Sequence, residues 1–279
     1  MQRKVNYLIV LGVILMISVI IGTSGCSKSK STSPISQAPG LPPQSSFIMD
    51  FSDFATSSKG PQFTGDPTDT FPRVNWGQSA LRVGFWNTVL TVVLAVPTAA
   101  FVESFNHTPI RLSDGSWQWS YNVAAGEIYT CHLVGNIVSS QVQWKMYVSK
   151  QGAFTDYLWY SGSHDLLATQ GTWTVNRNPD QTNPFLHIDW FRNTSDGTTR
   201  VKYTNFIPND PENGSYVDYT MSTISGIDRR YNIFDVVQDN LTQIEWDHTN
   251  KNGRITDSLF YHDAEWHCWD ENRHDVACQ

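Results

Sequence analysis

Charge is scarce in this 279-residue chain: only 16% of residues are charged, with 19 basic side chains against 26 acidic ones. A general nucleic-acid binder needs a cationic surface to displace counterions, so that class is excluded. Cysteine is sparse as well, four in all, too few for a disulfide-dense scaffold. There is no Gly-X-Y period and no heptad run, which removes collagen-like and coiled-coil designs. No Gly-x-Ser-x-Gly elbow occurs, so a serine hydrolase built on that turn has no basis here. Aromatic side chains, by contrast, are plentiful: 11 Trp, 11 Tyr and 14 Phe. Such a chain has ample material for a core, and disorder is excluded for most of it.

The amino terminus opens with Gln2-Arg3-Lys4, followed by an almost unbroken apolar run over 5–21 and then Gly22-Thr23-Ser24-Gly25-Cys26. A basic start, an apolar stretch and small residues before a cut site make a secretory signal peptide over 1–25. The segment resembles the lipobox of bacterial lipoproteins, with Thr23 standing where that family prefers an aliphatic residue. The resemblance implies that Cys26 becomes the first residue and carries a diacylglycerol on its sulfur, usually with a further acyl chain, such as palmitate, on its amino group. Several acyl chains hold a protein stably to a bilayer where one does not. Ser27 rather than Asp after the cysteine resembles the pattern of delivery to the cell outer membrane. An uncleaved anchor is the competing reading, since 17 residues lie near the lower limit for a span. Without residues 1–25 the chain carries 17 basic and 26 acidic side chains, a net charge of −9. The lipid, not the protein surface, is then expected to bind the membrane.

Residues 26–46 are Ser-, Lys-, Thr-, Pro- and Gln-rich and read as a disordered tether. Ordered structure is expected from Phe47, with 47–279 as one domain. Within 78–105, Leu81, Phe85, Val89, Val92, Val93 and Val96 recur at helical spacing. Val96 is expected to leave the helix because it precedes Pro97, with Pro97 and Thr98 restarting a second short helix to Phe105. Two readings compete for this stretch: a second membrane segment, or a helix covering or filling a curved sheet. From 116 onward period-two alternation dominates, clearest at 141–149. Ten further strands are expected at 117–122, 128–134, 157–161, 171–176, 186–192, 200–207, 215–221, 231–237, 241–248 and 254–262. Turn signals such as Asp114-Gly115, Asp196-Gly197, Asn213-Gly214 and Asn252-Gly253 separate several of them. The expected fold is mainly β: a single antiparallel meander curled as a barrel or half-barrel, with one apolar helical segment, about 78–105, covering or filling it. That order resembles, at the level of architecture, periplasmic lipoprotein carriers of the LolA and LolB type, in which a half-barrel with helical lids holds acyl chains.

In an exported domain Cys268 and Cys278 are expected to form a disulfide closing a short terminal loop, leaving Cys131 as a buried thiol; pairing of Cys131 with either stays open. The carboxyl-terminal tail carries His262, Asp263, Glu265, His267, Asp270, His274 and Asp275, but their spacing matches no usual zinc site, and no metal is expected. The stretch 248–259 lacks the first and last ligands of a calcium loop. Ser161-Gly-Ser-His-Asp165 has the letters of a catalytic triad, yet strand neighbours point to opposite faces, so His164 is not oriented by the Asp165 side chain. No catalytic residue is singled out and no cofactor is implied. Trp144, Met146, Trp159, Trp173 and Trp190 are the candidates for lining a ligand cavity, with core packing as the competing role. The expected function is therefore a membrane-anchored lipoprotein with a non-catalytic binding domain, preferring an apolar or amphiphilic ligand. A glycan- or protein-binding envelope module and a hydrolase of unknown substrate are the alternatives.

Overall fold

A computed structural model describes residues 37–54, 72–222 and 226–278. The chain divides into two units, Met1–Gln37 and Ala38–Gln279. The expected leader at 1–25, Cys26 and the tether as far as residue 36 lie outside the described residues.

In the stretch from Gln141, Val142, Trp144, Met146 and Val148 are buried while Gln141, Gln143 and Lys145 are exposed. This alternation gives strand β4 (Gln141–Lys150), because successive side chains point to opposite faces. Before it come β1 (Ile110–Arg111), β2 (Trp117–Ala125) and β3 (Glu127–Val138). After it come β5 (Phe154–Asp165), β6 (Gln170–Asn178), β7 (Gln181–Arg192), β8 (Thr199–Asn205) and β9 (Tyr216–Met221). The series ends with β10 (Arg229–Asp235), β11 (Asn240–Trp246), β12 (Gly253–Thr256), β13 (His267–Trp269) and β14 (Asp275–Val276). Each strand pairs with its chain neighbour, giving one 14-stranded antiparallel meander. The eleven expected strands correspond in order to β2 through β12. The stretch expected as the last of these stops at Thr256 and turns into a short helix, α3 (Ser258–Tyr261).

Among the described residues two α-helices precede the sheet, α1 (Val74–Val93) and α2 (Ala95–Glu103), with an angle of 71° between the two helical stretches. The break falls at Leu94, and Val96 stays helical, contrary to expectation. Pro97 sits in the first turn of α2, where its missing N–H has no intrahelical partner to lose. α2 packs on β2, whereas α1 packs on β12, β13 and β14. Ten inter-strand steps separate β2 from β12, roughly 48 Å in a flat sheet. Two helices of this length and bend span only roughly 37 Å. The sheet is therefore bent towards the helices, but β1 and β14 do not pair, so it remains open.

Close packing inside the bend rests on glycines paired with tryptophans. A Cβ at Gly135 would lie 2.6 Å from the Trp144 ring, at Gly162 2.4 Å from Trp173, at Gly171 2.9 Å from Trp190 and at Gly253 2.4 Å from Trp269. In each case the indole lies over the bare backbone of the neighbouring strand, the device by which aromatics cover strand glycines. Trp144 and Trp173 are each 1% exposed, and burying a large aromatic contributes about 1.5–3 kcal/mol.

Residues 38–54 fill part of the sheet's inner face, a role not foreseen for them. Ala38 and Leu41 pack against the core and Ser46 is fully buried, so packing begins ahead of Phe47. From there the strap crosses successive strands, meeting the polar tips of their aromatic side chains. Trp173 Nε1 donates to Ser46 Oγ (3.4 Å), and Tyr203 Oη donates to the Phe47 carbonyl (2.6 Å) while accepting from the Met49 amide (3.0 Å). The Tyr231 hydroxyl donates to the Asp50 carbonyl, and Trp246 Nε1 donates to Asp53 (2.8 Å). Phe47 packs against Phe101, Tyr160 and Trp173; Phe54 packs against Trp246. A polar, proline-containing segment is tolerated here because those side chains satisfy its backbone.

Candidate functional site

Helix α1 is inserted the unexpected way round. Its buried positions are Asn75, Gly77, Gln78, Ser79, Ala80, Val83 and Leu90. Its regularly spaced large apolar residues face outward: Phe85 is 65% exposed and Val92 73%, with Leu81 and Val89 also exposed. Polar docking explains the orientation. Asp257, 1% exposed, accepts hydrogen bonds from Gln78 Nε2 (2.8 Å), Arg82 Nε (2.8 Å) and Asn240 Nδ2 (3.0 Å). Burial tends to raise the Asp257 pKa, but the bonds from Arg82 and Gln78 outweigh it and hold the carboxyl below the usual range. The helix's first free amides, Val74 and Asn75, donate to the Asp275 carboxylate at 3.0 and 2.9 Å, which caps α1 from a distant strand. Cys268 and Cys278 form a disulfide spanning β13 and β14, and Asn75 Nδ2 donates to the Cys268 carbonyl (2.8 Å). The carboxyl-terminal clasp thus fixes where α1 starts.

The outward apolar face borders a cavity of about 810 Å³. Leu81, Phe85, Val89, Val92 and Val93 line it from α1, and Trp159, Leu186, Ile233 and Thr242 line it from the sheet. Its rim is the sheet edge formed by the start of β5, the end of β6 and the turns β6–β7, β8–β9 and β10–β11, which bring in Arg177, Asn178, Glu212 and Asp235. The volume lies within the range of small-molecule sites.

Of the five tryptophan and methionine candidates, only Trp159 lines this cavity. Trp144, Met146 and Trp173 are core: no more than 1% exposed, they have no surface left to offer a ligand. Trp190 borders a second hollow of about 470 Å³ at the opposite sheet edge, with His164, Asp165, Asp189 and Arg200. Burial tends to raise the Asp165 pKa, but bonds from Thr169 and Gln170 lower it; Asp189 is lowered by His187. Neither carboxyl is therefore a proton donor near neutral pH. His164 Nδ1 lies 2.6 Å from the Asp165 carbonyl oxygen, and its ring lies beside Trp144 and Trp190. Burial lowers its pKa, so it sits as a neutral core side chain. Burial also pushes the Cys131 thiol up to about 12, which removes it as a nucleophile.

The tail histidines are spread through local contacts: His267 Nε2 is 3.0 Å from Asp263 and its ring stacks on Tyr261, while His274 lies by Asp270. Among the described residues no group of three or more metal-capable side chains converges. Every tryptophan among the described residues is buried or half-buried. The sequence matches no known family model, no curated protein and no solved structure.

Proposed function

We propose that the protein is a lipid-anchored lipoprotein of the cell envelope whose β domain binds an apolar or amphiphilic ligand non-catalytically in the cavity beneath α1. Cys26 is the lipidated residue in this reading, and the outer membrane the destination. The observation that carries the binding reading is the orientation of α1. Leu81, Phe85, Val89 and Val92 stay exposed and border an open cavity, whereas folding alone would bury such a stripe. A cavity with apolar walls and a few polar groups at its edge suits an acyl or similar chain with a polar end.

Displacement of a neutral fluorescent apolar probe, N-phenyl-1-naphthylamine, by dodecanol tests the binding. Ile233→Trp, which puts bulk into the cavity wall, is expected to abolish probe uptake while far-UV circular dichroism stays unchanged. Uptake equal to the parent's in a folded variant overturns the assignment of the site. For the anchor, mass spectrometry of the amino-terminal peptide is expected to show an acylated Cys26, and Cys26→Ala to move the protein out of the membrane fraction. An unmodified Cys26 in membrane-bound protein refutes that part.

A further inference from the structure

We infer that the ligand taken by this cavity carries a positive charge at its polar end, as in a long-chain amine or quaternary ammonium; the inference rests on the cavity reading above. Among the described residues four charged side chains line the cavity: Arg82, Arg177, Glu212 and Asp235. Arg82 is committed, its Nε 2.8 Å from the buried Asp257 carboxylate, so that pair presents no net charge. Glu212 accepts only a local bond from Ser215 Oγ (2.7 Å), and Asp235 only one from the Gln238 amide (2.9 Å). Neither meets a cation among the described residues.

The turns around the mouth add to the imbalance. Asp180 lies in β6–β7, Asp210 in β8–β9 and Asp239 in β10–β11, again without an ion pair among the described residues. Among the described residues of the cavity and these turns, Arg177 is the one uncommitted cation facing the five acids. A cavity with low-dielectric walls concentrates the field of its rim, so an entering cationic head is drawn in and an anionic one repelled. The apolar wall selects the chain and the rim selects the sign of the head. A bare acidic patch lacks the first element, and a neutral lipid pocket lacks the second.

The test uses the full chain purified in non-ionic detergent and three probes sharing a twelve-carbon chain: dodecyltrimethylammonium, dodecanol and dodecanoate. Each displaces bound N-phenyl-1-naphthylamine at low and at moderate salt. The ammonium probe is expected to compete about tenfold better than the carboxylate at low salt, with the gap narrowing as salt rises. In Glu212→Gln/Asp235→Asn the preference should fall to about threefold, and in Arg177→Gln it should widen. Micellar partitioning is common to parent and variants, so the change in the ratio reads the site. Equal competition by all three probes, or a preference for carboxylate, overturns the charge inference and leaves the cavity reading standing. If none displaces the fluorophore, the cavity reading itself fails and this inference with it.

Discussion

Adding one methyl group at Gly135 should destabilise the protein by about 2 kcal/mol, and nearly all of that cost should run through one neighbour. The new Cβ would lie 2.6 Å from Trp144 Cζ3 and 3.0 Å from both Cε3 and Cη2. Trp144 has little freedom to retreat: it is 1% exposed, with Trp119 at 5.4 Å and His164 at 5.9 Å between ring centroids. Overpacking a core this rigid sits at the upper end of the usual range, about 3 kcal/mol. Gly135 has no positive φ, so without the clash alanine would stabilise by about 0.4–1 kcal/mol through the unfolded state. The two effects leave a net loss of about 2 kcal/mol. In a Trp144→Val background, itself destabilised by about 3 kcal/mol or more, Gly135→Ala should become neutral or slightly stabilising. That is a coupling of about 2 kcal/mol. Urea unfolding followed by far-UV circular dichroism measures all four proteins, and the parent midpoint should drop by about 0.7–1 M in Gly135→Ala. Equal costs in the two backgrounds would refute the glycine–indole account, as would a neutral Gly135→Ala in the parent.

The docking of α1 should depend on acid. Asp257 has a lowered pKa in the folded state, so its contribution is present above the unfolded value of about 4 and lost as pH falls through the depressed one. Urea midpoints should therefore decline below about pH 4, and Asp257→Asn should flatten that part of the decline while costing about 2–3 kcal/mol at neutral pH, discounted because Arg82 is partly exposed. Reducing Cys268–Cys278, ten residues apart, should cost about 2.7 kcal/mol by loop entropy. Hydrogen exchange should then speed up at the Val74 and Asn75 amides, which donate to Asp275; unchanged protection there would mean that the clasp does not hold the helix.

Strand existence was legible because one face of a meander meets water and the other does not, which writes period two into stretches such as 141–149. The disulfide was legible from two late cysteines at short separation. Helix orientation was not. Periodicity showed that Leu81, Phe85, Val89 and Val92 share a stripe, and the usual expectation sends such a stripe inward. The buried Asp257 reverses it by drawing Gln78 and Arg82, and no spacing between positions 78 and 257 announces that encounter. The strap was missed for a related reason. Composition marks Ser- and Pro-rich chain as solvent-loving, but the hydroxyls of Tyr203 and Tyr231 and the indole of Trp246 give its polar groups partners that only folding brings near. The cavity rim escaped because Glu212 and Asp235 are ordinary turn residues until their edges are gathered around one opening.

The crossing strap sets an order of events for a chain made from its amino end. Residues 38–54 are made before any strand, yet Tyr231, Trp246 and Trp269, against which they settle, belong to β10, β11 and β13, made much later. Neighbouring strands pair locally and need little search, so the sheet has the means to form while its future lining waits outside. Completion then resembles threading a lace through finished eyelets. Maturation should accordingly show a late phase in which the strap is still open to proteases after the strands have closed.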